Sequence, residues 1–221
     1  MKKILIFLWL FFVSALQCDE FSFRLLAIPR SGHRVTMRAL HLIEDFRKEE
    51  AYYQALLQFP ASRVEGKLIV NVRDLRDVFV SMVHQMRNNR FGFGHKVSWF
   101  HTLSFEEQLS YLLSEETPLS GAIRDCMRMI EDRDVLVVRY EDFVRDAEGA
   151  IEKIANFLEI PLTSARINEI AGLLFEESSL GSFREEIGSW KESFNEEHRA
   201  LFKAKFNSNL VTLGYENDDC W

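Results

Sequence analysis

Near its start the chain has a short apolar segment that leads directly into a basic, glycine-bearing turn and then an amphipathic helix, and this order restricts the possible folds. Residues 23–28 read FRLLAI, which is typical of a strand buried on both faces. Residues 29–34 read PRSGHR and predict the turn. Beyond the turn, apolar residues recur at spacings of three and four and predict one buried helix face, made of Val35, Ala39, Leu42, Ile43 and Phe46.

A strand, a glycine turn and a helix in this order direct free backbone N–H groups and the positive end of the helix dipole toward an anion. Arg30 and Arg34 flank the turn, so the predicted ligand is a phosphate. The turn is not a Walker A loop, because the GK[ST] ending is absent. From this segment alone, an ordinary βα turn with solvated arginines fits about equally well.

Two further segments repeat the pattern of a buried strand followed by charge and a helix. Residues 67–72 (KLIVNV) precede RDLRD and a predicted helix at 78–84, and residues 134–140 (DVLVVRY) precede Glu141 and Asp142. Strands that alternate with helices predict an α/β fold, a P-loop-like parallel sheet with helices on both faces in three αβα layers. The ligand of such a sheet lies at the carboxyl ends of the strands, where Arg30 and Arg73 both fall.

Length and composition fit one globular domain, expected at residues 20–217. The chain has 221 residues, of which 47% are hydrophobic and 13% aromatic. A net charge of −7 argues against a general nucleic-acid binder. The three cysteines form no CxxC or Cys/His cluster, so no metal site is expected. A Cys126–Cys220 disulfide is compatible with the sequence, and unpaired buried thiols are the preferred interpretation.

The amino-terminal residues predict a separate targeting segment. Lys2 and Lys3 precede an apolar run at residues 4–13, followed by SALQC, which is the pattern of a secretory signal peptide. The run is too short to span a bilayer comfortably. We therefore expect residues 1–17 to be a cleaved leader that leaves no membrane span and exports the protein to the periplasm, a secretory lumen or the exterior. The alternatives are a hydrophobic first strand and, for a non-functional leader, a cytoplasmic protein.

The remaining segments follow the same periodicities. Residues 52–59 fit either a helix or a strand, and residues 88–102 carry aromatics and histidines on a glycine-bearing loop typical of a pocket mouth. The other predictions are a helical stretch at 103–130 broken near 118–121, an amphipathic helix at 147–158, a helix capped by Thr163 or Ser164, a loop at 175–193 and a last helix capped by Asn195.

Five motifs in this order resemble the sulfotransferase family that uses 3′-phosphoadenosine 5′-phosphosulfate (PAPS). Residues 29–35 (PRSGHRV) are similar to the family's 5′-phosphosulfate loop, and residues 73–84 (RDLRDVFVSMVH) to its 3′-phosphate segment, except that Leu75 replaces proline. YED at 140–142, GSWK at 188–191 and LGYE at 213–216 complete the set. The resemblance covers nearly all of the chain from residue 23 onward and implies the sulfotransferase fold.

The resemblance also implies which residues bind the donor PAPS and the product 3′-phosphoadenosine 5′-phosphate (PAP). The implied donor-binding residues are Arg30, Ser31, Gly32, His33, Arg34, Arg73, Ser81, Tyr140, Phe175 and Arg184. The turn with the following helix holds the 5′ side, and Arg73 with Ser81 holds the 3′-phosphate. Arg184 closes over that phosphate. Tyr140 contacts the base, and Phe175 corresponds to an aromatic that stacks on adenine.

The resemblance implies sulfuryl transfer, in which negative charge builds on the leaving oxygen and a nearby cation stabilises it. Arg30 stands where the family commonly has lysine. Because arginine has too high a pKa to give up a proton, Arg30 would act by electrostatics alone. The family's usual catalytic histidine is absent from residues 49–57. The candidate bases are Glu50, at about that place, and His41, which lies on the polar face of the first helix with Arg34, Arg38 and Asp45.

Two further departures from the family pattern keep two functions open. Val35 replaces a tryptophan that contacts adenine, and Glu185 and Glu186 stand where Lys-Gly is expected, so two carboxylates would oppose a 3′-phosphate. The first function is a PAPS-dependent sulfotransferase acting on a hydroxyl or amine of a small molecule, glycan or protein. The second is a catalytically impaired member that serves as a nucleotide-binding or interaction module. A kinase-like P-loop enzyme is disfavoured, because the Walker A lysine is absent.

Overall fold

The computed structural model describes residues 23–44, 53–55, 67–88, 97–132, 134–175 and 186–221. Within these ranges one sheet has the strand order β2-β1-β3-β4, and all neighbouring strands pair in parallel. The strands are β1 (Phe23–Ala27), β2 (Tyr53–Ala55), β3 (Lys67–Val72) and β4 (Val135–Arg139).

Helices connect and cover these strands. They are α1 (His33–Glu44), α2 (Leu75–Asn88), α3 (Val97–Phe100), α4 (Phe105–Ser114), α5 (Pro118–Asp132), α6 (Tyr140–Arg145), α7 (Ala147–Leu158), α8 (Ser164–Leu173), α9 (Trp190–Ser193) and α10 (Glu196–Thr212). None of the helices in the described ranges is long and apolar enough to cross a membrane.

The two faces of the sheet carry separate apolar clusters, because successive strand residues point to opposite sides. Leu25 and Ile69 belong to one cluster, where they pack with residues of α1, α7 and α8. Leu26 and Val70 belong to the other, with residues of α2, α4, α5 and α10. The predicted three-layer αβα arrangement is therefore confirmed, and nearly uninterrupted apolar strands are what burial on both faces requires.

Register brings the carboxyl ends of three strands to one edge of the sheet. Ala27 pairs with Asn71, and Val72 pairs with Arg139. The residues that follow β1, β3 and β4 therefore meet at this edge, where the ligand of a parallel sheet binds. This edge is referred to below as the carboxyl edge.

Local expectations are mostly confirmed, with shifts at element ends. The helical break falls at residues 115–117 rather than 118–121, since Pro118 begins α5, at a position where proline's missing N–H is not needed. Tyr140 begins α6 instead of ending a strand. The predicted loops contain the short helices α3 and α9. Thr163 caps α8, and Asn195 caps α10 with a capping box.

Cys126 and Cys220 are both free thiols. Cys126 is buried, and burial raises its pKa to about 12. Cys220 is exposed, so the expectation of a buried thiol is wrong at that position. The predicted leader at residues 1–17 lies outside the described residues.

Candidate functional site at the carboxyl edge

The turn between β1 and α1 depends on two residues with left-handed backbone conformation. Arg30 has φ 68° and Gly32 has φ 76°. Such values are uncommon for a residue with a side chain, and a non-glycine residue that adopts them marks a constrained site. At Gly32 a side chain is also excluded by space, because a Cβ atom would lie 2.3 Å from Cδ2 of Tyr140. The absence of a Cβ therefore lets the turn lie directly on the Tyr140 ring.

Asn71 fixes the turn from the neighbouring strand. It is fully buried on β3, and its Nδ2 donates to the carbonyl oxygen of Ser31 at 2.6 Å and to the Ser31 hydroxyl at 3.0 Å. Its Oδ1 accepts a hydrogen bond from the hydroxyl of Thr36 on α1. One buried amide thus joins strand, turn and helix, and satisfies polar groups that would otherwise be costly to bury.

Arg30 extends from the turn to α2. Its Nε donates to the hydroxyl of Ser81 at 2.9 Å, and its Nη1 donates to Oε1 of Gln85 at 2.7 Å. Ser81 and Gln85 are one helical turn apart, so they lie on the same face of α2. The predicted 5′ and 3′ elements are therefore in direct contact, although 51 residues separate Arg30 from Ser81 in the chain.

Arg73 follows β3 directly and is almost completely buried, with 1% of its surface exposed. The pairing of Val72 with Arg139 sets it beside Tyr140, and its guanidinium carbon lies 5.2 Å from the centre of the Tyr140 ring. Its Nη2 donates to the carbonyl oxygen of Glu186 at 2.6 Å. Tyr140 thus touches both the turn and Arg73, and links the two predicted anion-binding elements.

Asp77 ties the segment at residues 188–190 to α2. Its carboxylate is fully buried and accepts hydrogen bonds from the N–H of Gly188 at 2.7 Å, the hydroxyl of Ser189 at 3.0 Å and the N–H of Trp190 at 3.0 Å. One carboxylate oxygen also lies 3.9 Å from Nη2 of Arg73. The GSWK motif is therefore anchored beside the predicted 3′-phosphate segment. Glu186 lends its backbone carbonyl to Arg73, while its side chain is exposed.

A second buried carboxylate, Glu141, joins the starts of α2 and α6 to the segment after α10. It accepts hydrogen bonds from the N–H of Asp74 at 2.9 Å and from the hydroxyl of Tyr215 at 2.7 Å. Burial raises the pKa of Glu141, and burial also raises the pKa of Tyr215. Glu141 of YED therefore contacts Tyr215 of LGYE, and the neighbouring Glu216 pairs with Arg76 at 2.6 Å.

The structure brings some predicted site residues together and leaves others apart. The residues that gather at the carboxyl edge are Arg30, Ser31, Gly32, His33, Arg34, Arg73, Ser81 and Tyr140. Phe175 is half-buried and packs against the apolar cluster of α1, α7 and α8. Glu50 and Arg184 lie outside the described residues. Their roles remain predictions.

His41 is not brought to the carboxyl edge. It occupies the last turn of α1, about 12 Å along the helix axis from His33 at the usual rise per residue. Arg34 and Arg38 lie on the same polar face of α1 as His41, but this face extends along the helix away from the turn. Lying on one face with Arg34 therefore does not place His41 at the amino-terminal end of α1. That placement gives His41 no geometric support as a base.

Sequence reasoning missed three residues that organise the edge: Asn71, Asp77 and Gln85. Asn71 carried a usable signal, as the one polar residue inside the apolar part of KLIVNV. Asp77 lies inside the segment at residues 73–84, but no local pattern indicates its partners at residues 188–190. Gln85 had no signal in the chain, because its partner Arg30 is 55 residues away.

The fold and this site define a three-layer α/β protein with a constrained, basic turn at the carboxyl edge of its parallel sheet. The family model for the sulfotransferase domain matches residues 54–214, which is well over half of the chain. The chain belongs to the sulfotransferase family.

Known proteins agree with this assignment. Sulfotransferase 6B1 of Danio rerio is 27% identical over 158 residues, which are 66% of this chain, and the chain spans about half (52%) of that relative's length. The crystal structure of mouse sulfotransferase SULT7A1 complexed with PAP has a TM-score of 0.67 at 18% identity, covering 88% of this chain and 87% of that one. Retinol dehydratase in complex with androsterone and inactive cofactor PAP has a TM-score of 0.60 at 17% identity, covering 85% and 80%. These structures confirm the predicted fold.

Proposed function

We propose that this protein is a sulfotransferase that moves a sulfuryl group from PAPS to a hydroxyl or amine of an acceptor. The observation that carries the proposal is the hydrogen bond between Arg30 of the β1–α1 turn and Ser81 of α2. It joins two elements that the resemblance assigns to opposite ends of one donor. The two structural neighbours reported above are both complexes with PAP, which supports the same ligand class for this protein.

The side chains at the carboxyl edge fit an adenosine donor with two anionic groups. The turn sets the start of α1 at the carboxyl edge, where helix N–H groups can bind an anion, and Arg30 of the same turn supplies positive charge. Arg73 would hold the second group, beside Ser81. When bound, PAPS supplies an activated sulfuryl group. Arg30 would then stabilise the charge that develops on the leaving oxygen, without exchanging a proton.

The binding half of the proposal is tested by calorimetry with PAP. We expect the wild-type protein to bind PAP and Arg73→Ala to bind at least about tenfold more weakly, since hydrogen bonds to charged groups are worth roughly 1.5–3 kcal/mol. Arg128→Ala is the matched control, because it removes the same side chain from an exposed position on α5. Arg73→Lys keeps the charge and should lose less affinity, which guards against an effect of unfolding alone. Absence of PAP binding by the folded wild-type protein would overturn the proposal.

The catalytic half is tested with PAPS carrying labelled sulfate and separate panels of hydroxyl and amine acceptors. Transfer that falls in Arg30→Ala supports the assigned role of Arg30. Glu50→Gln and His41→Ala, assayed alongside, identify the base. Binding of PAP without transfer to any acceptor would favour the second function, a nucleotide-binding or interaction module of the same fold.

Export is a separate part of the proposal, and the pattern of residues 1–17 supports it. We expect the mature protein to begin after Ala15 or Gln17 when it is expressed with its leader in a secreting host. Sequencing the amino terminus of the recovered protein tests this. Recovery of the chain with Met1 intact would argue against a functional leader.

A further inference from the structure

The environment of the Arg30 guanidinium includes a residue that the sequence motifs leave without a role. Gln85 accepts a hydrogen bond from Nη1 of Arg30 at 2.7 Å, while Ser81 accepts one from Nε at 2.9 Å. Both acceptors come from one turn of α2, and Gln85 is half-buried. A single rigid element therefore contacts two different nitrogens of the side chain.

We propose that Gln85 is a positioning residue that fixes the Arg30 guanidinium at the anion-binding turn, and that this pairing adapts the turn to arginine. The inference rests on the proposed function, because the fixed cation is the one assigned to the 5′ side of the donor. Gln85 touches Arg30 and acts through it.

Two properties of the pair support this role. Arginine is long and flexible, and two hydrogen bonds that it donates to α2 restrict the guanidinium far more than one would. A lysine at position 30 would present one ammonium nitrogen, which cannot reproduce the separate Nε and Nη1 contacts. The pairing with Gln85 therefore depends on a planar group with several donors.

The second property that supports the role is that the acceptor, the Gln85 carboxamide, carries no charge. The Gln85 carboxamide orients the guanidinium without adding a negative charge next to an anion-binding turn. A glutamate at this position would also accept the hydrogen bond, but its charge would offset that of Arg30 and repel an anionic ligand. Orientation and net charge can therefore be separated by comparing Gln85→Leu with Gln85→Glu.

The test uses the full chain and two probes that differ in one group. Calorimetry gives the dissociation constants of PAP and of adenosine 3′-monophosphate, which lacks the 5′-phosphate. The dissociation constant of adenosine 3′-monophosphate divided by that of PAP measures the affinity gained from the 5′ group. We expect Gln85→Leu to reduce this ratio roughly tenfold, the lower end of the effect of one hydrogen bond to a charged group. Affinity for adenosine 3′-monophosphate should stay within about twofold of wild type.

Further variants make the result specific. Gln85→Glu should also reduce the ratio, through charge. In an Arg30→Lys background, Gln85→Leu should have no additional effect, because the guanidinium that it positions is gone. Asn88→Leu, at the exposed last position of α2, is the matched control and should leave the ratio unchanged. Gln85→Met, which is unbranched and lacks the acceptor, replaces Gln85→Leu if the latter lowers the urea midpoint.

A measurement without ligand provides an independent readout. In wild-type protein the Nη1–H group of Arg30, which donates to Gln85, should exchange slowly with solvent by nuclear magnetic resonance, and it should exchange faster in Gln85→Leu. An unchanged affinity ratio in Gln85→Leu, in a protein whose wild type binds PAP, would overturn the role of Gln85 alone. Failure of the wild type to bind PAP would overturn the proposed function, and this inference with it.

Discussion

Replacing Gly32 by alanine tests whether the close approach between the turn and Tyr140 organises the site. The substitution meets two separate obstacles. Residue 32 has φ 76°, a conformation that costs a residue with a side chain about 1–2 kcal/mol. The added Cβ would also lie 2.3 Å from the ring of Tyr140, which has no exposed surface and cannot move outward freely.

The second obstacle resembles overpacking of a core, which typically costs about 1–3 kcal/mol. The expected loss for Gly32→Ala is therefore about 2–5 kcal/mol of unfolding free energy. Gly188→Ala is a matched control, because φ is 84° there but the nearest atom to a new Cβ is Cε of Lys191 at 4.0 Å. It should cost only the backbone strain. Gly172→Ala, inside α8 with open space around it, should stabilise the protein by about 0.5–1 kcal/mol.

Urea unfolding followed by circular dichroism measures all three variants on the same scale. The steric part is isolated by repeating Gly32→Ala in a Tyr140→Ala background, where only the strain of about 1–2 kcal/mol should remain. Because the Tyr140 ring also contacts Arg73, Gly32→Ala should weaken PAP binding as well. If Gly32→Ala costs no more than Gly188→Ala, the close contact with Tyr140 has no energetic importance and the reasoning fails.

The two buried carboxylates give further predictions. Asp77→Ala removes the acceptor of Gly188 and Trp190 and should cost about 3–5 kcal/mol in urea unfolding, whereas a loss below about 1 kcal/mol would show that the contacts are replaceable. Burial raises the pKa of Glu141 above its ordinary value of 4.5, so the native state keeps this proton to higher pH than the unfolded state. The unfolding free energy of wild type relative to Glu141→Gln should therefore fall as pH rises from about 4.5 through the raised pKa, and a difference independent of pH would contradict this.

The expected outcomes have a common basis in where polar groups are buried at the carboxyl edge. Four polar residues there have less than a tenth of their surface exposed, and each makes hydrogen bonds to a residue at least 40 positions away in the chain. They are Asn71, Arg73, Asp77 and Glu141. Removing one partner leaves the other buried without compensation, which is why single substitutions here should have large effects.

Local patterns were sufficient for much of the fold. The apolar runs at β1, β3 and β4 and the helix at Ala147–Leu158 were predicted because buried strands and amphipathic helices depend on residues a few positions apart. The turn at residues 29–34 was predicted for the same reason. The helix ends were less accurate, as the position of Pro118 illustrates.

Partners distant in sequence could not be predicted in this way. Asn71 reaches Ser31 across 40 residues, Arg30 reaches Gln85 across 55, and Asp77 reaches Gly188 across 111.

Local sequence patterns alone establish that strands and helices alternate, that a basic glycine turn follows the first strand, and which family the motifs resemble. The contacts of Arg30 with Ser81 and Gln85, and the position of Tyr140 between Gly32 and Arg73, depend on the tertiary structure. The physical reason is that strand order and register are set by packing of the whole core. A one-residue change in the pairing register of a strand would move all of its side chains to the opposite face of the sheet, while the sequence pattern within the strand stayed the same.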